Sequence, residues 1–131
     1  MKSLDLRLDL RKAHDKLKLD IHSTDKLLDE AMASRRAVKG GGGLTSGYMQ
    51  RWQQTLDADR ESLKDIRTET DTLSCDFTQL NHKELEDKLI IHNKLQLQVD
   101  KLTAKYQAEI AQDDQERVQI REAAHRRHPP S

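Results

Sequence analysis

Four consecutive glycines, Gly40 to Gly43, interrupt a chain that otherwise holds almost nothing to stop a helix. The only other glycine is Gly47, and the only two prolines are Pro129 and Pro130 at the carboxyl terminus. Glycine loses more backbone freedom on folding than any other residue, at about 1 kcal/mol each in a helix interior, so four in a row mark a break. Thr45 or Ser46 then offers a side-chain oxygen to cap a following helix. This divides the chain into an amphipathic helix over 1–39, a Gly-rich linker over 40–47, a long helix over 48–124 and a disordered basic tail over 125–131.

Composition supports helices over any other architecture. Hydrophobic residues make up 34% of the 131 and charged residues 35%, with only four aromatics, Tyr48, Trp52, Phe77 and Tyr106. Such a chain lacks the large side chains of a sandwich, a barrel or an α/β enzyme, and is rich in good helix formers. A length of 131 residues fits one domain. The single cysteine, Cys75, excludes an internal disulfide and gives no zinc cluster. Met1-Lys2-Ser3-Leu4-Asp5 begins no secretory signal, and no stretch approaches the roughly 20 apolar residues of a bilayer span. A soluble, cytoplasmic protein is expected.

In the first segment Leu10, Ala13, Leu17, Ile21, Thr24, Leu28, Ala31 and Val38 share one helical stripe, widened by Leu27. Its start is ambiguous, because Leu4, Leu6, Leu8 and Leu10 alternate with charged residues at the strand period. Helix is the expectation there; a strand added to another protein's sheet is the alternative.

The second segment carries readable heptads. One frame places Met49, Trp52, Leu56, Asp59, Leu63, Ile66, Thr70, Leu73, Phe77 and Leu80 on a seam. It then fails at Glu84 and Asp87, and a frame shifted by one residue recovers Leu85, Leu95, Val99, Leu102 and Tyr106, interrupted by Lys88 and His92. The fold expected is therefore all-α: a short N-terminal helix, a Gly-rich linker and one long coiled-coil helix whose supercoil relaxes over 81–90. The alternative is a spectrin-like three-helix bundle with a turn near 81–83, where Asn81 and Glu84 stand at capping-box spacing.

The continuous helix implies a partner. The first segment at 1.5 Å per residue would cover less than half of the second, leaving Leu95, Val99, Leu102 and Tyr106 without cover. Two seams are expected to bind other helices: Trp52, Leu56, Leu63, Ile66, Leu73 and Phe77, then Leu95, Val99, Leu102 and Tyr106. Charge favours a fold-back of the first segment: residues 1–39 hold ten Lys/Arg against seven Asp/Glu, and residues 48–116 hold nine against fifteen. Asp59 and Thr70, polar on an apolar seam, would fix register.

No residue pattern supplies catalysis. The glycines lack the Lys-Ser/Thr of a phosphate loop, and no His-Glu-x-x-His occurs. His125 and His128 read as solvated tail residues rather than metal ligands, and His14 and His92 as interface residues. Asp71 and Asp76 beside Cys75 disfavour a reactive thiolate. Arg117, Arg121, Arg126 and Arg127 could meet an acidic surface, tubulin among the candidates, yet zero net charge and an acidic middle argue against a dedicated nucleic-acid site. The expectation is a non-enzymatic structural coiled-coil subunit of a large intracellular assembly, with no cofactor or metal. A cytoskeletal, axonemal or ciliary setting is the first choice, with other helical proteins as partners in a hetero-oligomer. The alternatives are a coiled-coil adaptor or tether in trafficking and, more weakly, a subunit of a nucleic-acid-associated complex.

Overall fold

A computed structural model describes residues 2–40 and 46–127 of the chain. Three long helices run through them: α1 over Lys2–Arg35, α2 over Ser46–Thr72 and α3 over His82–Arg127. A single turn of π-helix, Arg36–Gly40, follows α1, and a 3₁₀ turn, Phe77–Gln79, lies between α2 and α3. The fold is all-α, and no strand occurs among the described residues. Leu4 to Arg11 are helical, and the alternating leucines divide between two faces: Leu6 and Leu10 pack inward, while Leu4 and Leu8 are exposed.

The expected continuous helix over 48–124 is broken. The break needs neither glycine nor proline, because local side chains satisfy the backbone. Seven of the eleven residues from Thr68 to Thr78 are Thr, Ser or Asp, which hydrogen-bond nearby backbone and weaken a helix interior. Thr70 and Thr72 donate to Ile66 O and Glu69 O at 2.7 and 2.6 Å. Asp76 then caps the 3₁₀ turn, accepting from the Thr78 amide at 3.0 Å and its hydroxyl at 2.6 Å. The start of α3 is a complete capping box: the Glu84 amide donates to Asn81 Oδ1 at 2.9 Å, and the Asn81 amide donates to Glu84 Oε1 at 3.2 Å. The reversal spans 73–81, earlier than the turn near 81–83 of the alternative reading.

Cross-helix pairs fix the topology. His14 meets His92, Thr24 meets Thr103 and Ser34 meets Asp113, offsets of 78, 79 and 79 residues. A constant offset means that α1 and α3 run parallel. Asp25 pairs with Arg67 and Asp29 with Arg60, so α2 runs antiparallel to α1. The chain thus goes up, down and up, and α1 with α3 forms its most extensive contact. Small side chains at that contact (Thr24, Ala31, Ser34 and Thr103) let the two axes approach.

The main core contains Leu17, Ile21, Leu28, Leu56, Leu63, Ile66, Leu73, Leu95, Val99 and Tyr106, with Trp52 and Leu102 packed against it. A second, smaller cluster of Leu10, Phe77 and Leu85 plugs the end beside the 73–81 connector. We call this the closed end; the other, where α1 hands over to the linker, is the open end. Two boundaries also move: α2 begins at Ser46, inside the expected linker, and α3 stays helical to Arg127, into the expected disordered tail. The remainder of the linker, 41–45, and of the tail, 128–131, lies outside the described residues.

Candidate interaction surface

All ten residues expected to bind partners belong to the interior of the bundle. Leu56, Leu63, Ile66, Leu73, Phe77, Leu95, Val99 and Tyr106 are buried, and Trp52 and Leu102 are half-buried. The expectation that nothing in the chain covers Leu95, Val99, Leu102 and Tyr106 is corrected, since α1 and α2 cover them. The cause is the break at 73–81: a shorter α2 lets α3 return along the whole of α1. The first segment does fold back along the second, and Arg35 of α1 meets Asp113 of α3 in the sense that the charge balance favours. The described ion pairs between α1 and α2 join acids of α1, Asp25 and Asp29, to arginines of α2, Arg67 and Arg60.

Three polar levels, each about three helical turns from the next, cross the middle of the α1–α3 contact, and Gln96 Nε2 of α3 also donates to Asp20 of α1 at 2.7 Å. At the closed end His14 Nδ1 and His92 Nε2 lie 2.8 Å apart, and His92 Nδ1 donates to Lys88 O at 2.7 Å. Both rings stand edge-on to Phe77, with centroids at 5.8 and 6.5 Å. The pair separates the two apolar clusters, and burial, the largest influence on each, pushes both imidazoles down from the ordinary histidine value. In the middle Thr24 and Thr103 share a hydroxyl hydrogen bond of 2.8 Å.

At the open end Asp113, 1% exposed, accepts from Ser34 Oγ at 3.1 Å and from Arg35 Nε at 3.3 Å. The Arg35 guanidinium also donates to the Tyr48 hydroxyl and lies 5.2 Å from the centre of the Trp52 ring. Trp52 Nε1 donates to Glu109 at 3.2 Å. One turn deeper, Asp59 of α2 accepts from Lys105 Nζ at 2.7 Å and from the Tyr106 hydroxyl. Burial first, then that carboxylate, pushes the Tyr106 hydroxyl far up, so it stays a donor. Asp59 therefore locks α2 to α3, as its place on an apolar seam suggested, whereas Thr70 bonds only its own helix.

The outer face carries a different pattern. Ile90, Leu97, Ala104, Ala111 and Val118 recur every seven residues along α3 and are all exposed, Ile90 at 66% and Leu97 at 56%. Seven-residue spacing keeps side chains near one line on a helix, with a drift of about 20° per repeat. Beyond Asp113, which is bonded to Ser34 and Arg35 of α1, the helix continues through exposed Val118 and Ile120 to Arg127. The sequence signal for this second line was present but masked, since the seam frames concentrated on residues that turned out to be internal.

The concavities are open grooves, such as one of about 310 Å³ between α1 and α3 lined by Asp20, Thr24, Asp100 and Thr103. Among the described residues no three His, Cys, Asp or Glu side chains converge to hold a metal ion. Cys75 is an exposed free thiol. No helix among the described residues is long and apolar enough to cross a membrane. Comparison with family models, curated proteins and solved structures gave no match to this chain.

Proposed function

We propose that this chain is a non-enzymatic structural subunit of a large intracellular assembly, which presents the outer face of α3 to other helical proteins. The observation that carries this reading is the exposed seven-residue repeat Ile90, Leu97, Ala104, Ala111 and Val118. Single exposed apolar residues are ordinary on any surface; a repeated line is the pattern that a partner helix packs against. The small side chains in its middle let another backbone come close, and the larger ones at its ends give packing area. A cytoskeletal or axonemal assembly remains the first setting proposed, because elongated helical rods fit along filaments. A trafficking adaptor would use the same face for a transient partner.

The test separates surface from core. Ile90→Asp with Leu97→Asp should abolish recovery of partners from cells while leaving helix content and melting temperature close to wild type. Leu95→Ala with Leu102→Ala removes internal packing and should instead lower stability, at about 2–5 kcal/mol for a fully packed leucine. Unchanged partner recovery by the outer-face variant would overturn the reading.

A further inference from the structure

The pairing of two buried imidazoles admits one arrangement of protons. Lys88 O can only accept, so His92 Nδ1 carries a hydrogen, and in the neutral ring His92 Nε2 is then bare. His92 Nε2 must accept from His14 Nδ1, 2.8 Å away, which leaves His14 Nε2 as a bare lone pair. That atom is buried and has no hydrogen-bond partner among the described residues. Any third proton must end there: the other three ring nitrogens already share two hydrogens in two satisfied bonds. Whichever ring formally holds the charge, the outcome is a buried N–H with no oxygen or nitrogen acceptor among the described residues, on a ring whose centre lies 5.8 Å from that of Phe77.

We infer that the His14–His92 pair is an acid-sensitive latch, in which uptake of one proton loosens the closed end and frees the amino-terminal part of α1. The location makes the effect local. His14 and His92 lie between the plug of Leu10, Phe77 and Leu85 and the main core, so the plug is held to the bundle through this level. The charged groups around it come from each packed helix. Asp15 and Lys18 flank His14 on α1, Asp71 faces it from α2, and Lys88 accompanies His92 on α3. In the connector Asp76, the nearest acid in sequence to Phe77, is engaged by Thr78. Asp15 and Asp71 attract the proton, Lys18 and Lys88 repel it, and burial outweighs the carboxylates, so the folded pair resists protonation that an open chain accepts. The stabilisation is thus complete above about pH 6.5, the ordinary histidine value, and is lost as pH falls below it.

Hydrogen exchange of the full chain between pH 7.5 and 5.5, corrected for intrinsic exchange chemistry, tests this directly. Opening of amides in 6–17 and 84–92 should increase as pH falls, by at most about tenfold per pH unit for a single proton. Amides of 28–35 and 106–113 should not follow. His14→Phe combined with His92→Leu should abolish the pH dependence. Nitrogen NMR of the wild-type imidazoles supplies a readout that needs no variant: at pH 7.5 both rings should be protonated on Nδ1 and bare on Nε2. A pH-independent closed end, acid opening that persists in the double variant, or an Nε2-protonated tautomer on either ring would overturn the inference.

Discussion

The closed and open ends of the bundle solve one problem with opposite chemistry. Both must bury polar groups where α1 meets α3. The closed end uses neutral rings and a small apolar plug, joined by a two-bond relay that terminates on a backbone carbonyl. The open end uses a full ion pair, Arg35 with Asp113, supported by Ser34, Tyr48 and Trp52. The open end is held by a charged pair, while the closed end is held by imidazoles, the side chain suited to a switch near neutral pH. One interface therefore combines an ionic anchor with the acid-sensitive fastening inferred above.

The largest effect expected is at the anchor. Asp113→Ala leaves Arg35 buried without its carboxylate and should destabilise by about 3–5 kcal/mol, measured by denaturant unfolding. Replacing the pair by Asp113→Leu with Arg35→Met should recover most of that loss, because a buried ion pair seldom outperforms apolar packing of similar volume. Failure to recover would mean that the Tyr48 and Trp52 contacts, rather than the charge, make the anchor.

Next comes the plug. Leu85→Ala should cost about 3 kcal/mol, and its effect on local opening should be confined to the closed end. Uniform loss of exchange protection along all three helices would show that the two ends are not separable. Asn81→Ala, which removes half of the capping box, should cost about 1 kcal/mol. The smallest change runs the other way. A side chain at Gly47 meets nothing within 4 Å, so Gly47→Ala at the start of α2 should stabilise by about 0.5 kcal/mol, visible as a small rise in melting temperature.

These two ends were not equally legible in the sequence. The stripe Leu10, Leu17, Ile21, Leu28 and Ala31 could be read because large apolar residues at helical spacing have one common use. His14 and His92 stood on those stripes and were recognisable as interface residues, although their mutual pairing required the register of two helices far apart in sequence. Asp113 and Arg35 were not recognisable, since charged residues are ordinarily exposed and only the α1–α3 register buries them. The break at 73–81 is faint in the sequence for a related reason. Glycine and proline are strong single signals, whereas Thr70, Thr72, Ser74, Asp76 and Thr78 act only in concert. In a continuous helix without that break, the second seam reads as bare.

The parallel course of α1 and α3 has a mechanical consequence. Lys2 lies at one pole of the rod, and Arg127 beyond the other. Tension applied between these points would pull α1 and α3 in opposite directions along their shared contact, loading it in shear instead of peeling it open. In shear the histidine, threonine and Asp113 levels bear the force together, so rupture would require them to fail nearly at once. A rod built this way would resist stretching along its axis far better than its modest core suggests. Acid would weaken that resistance from one pole only.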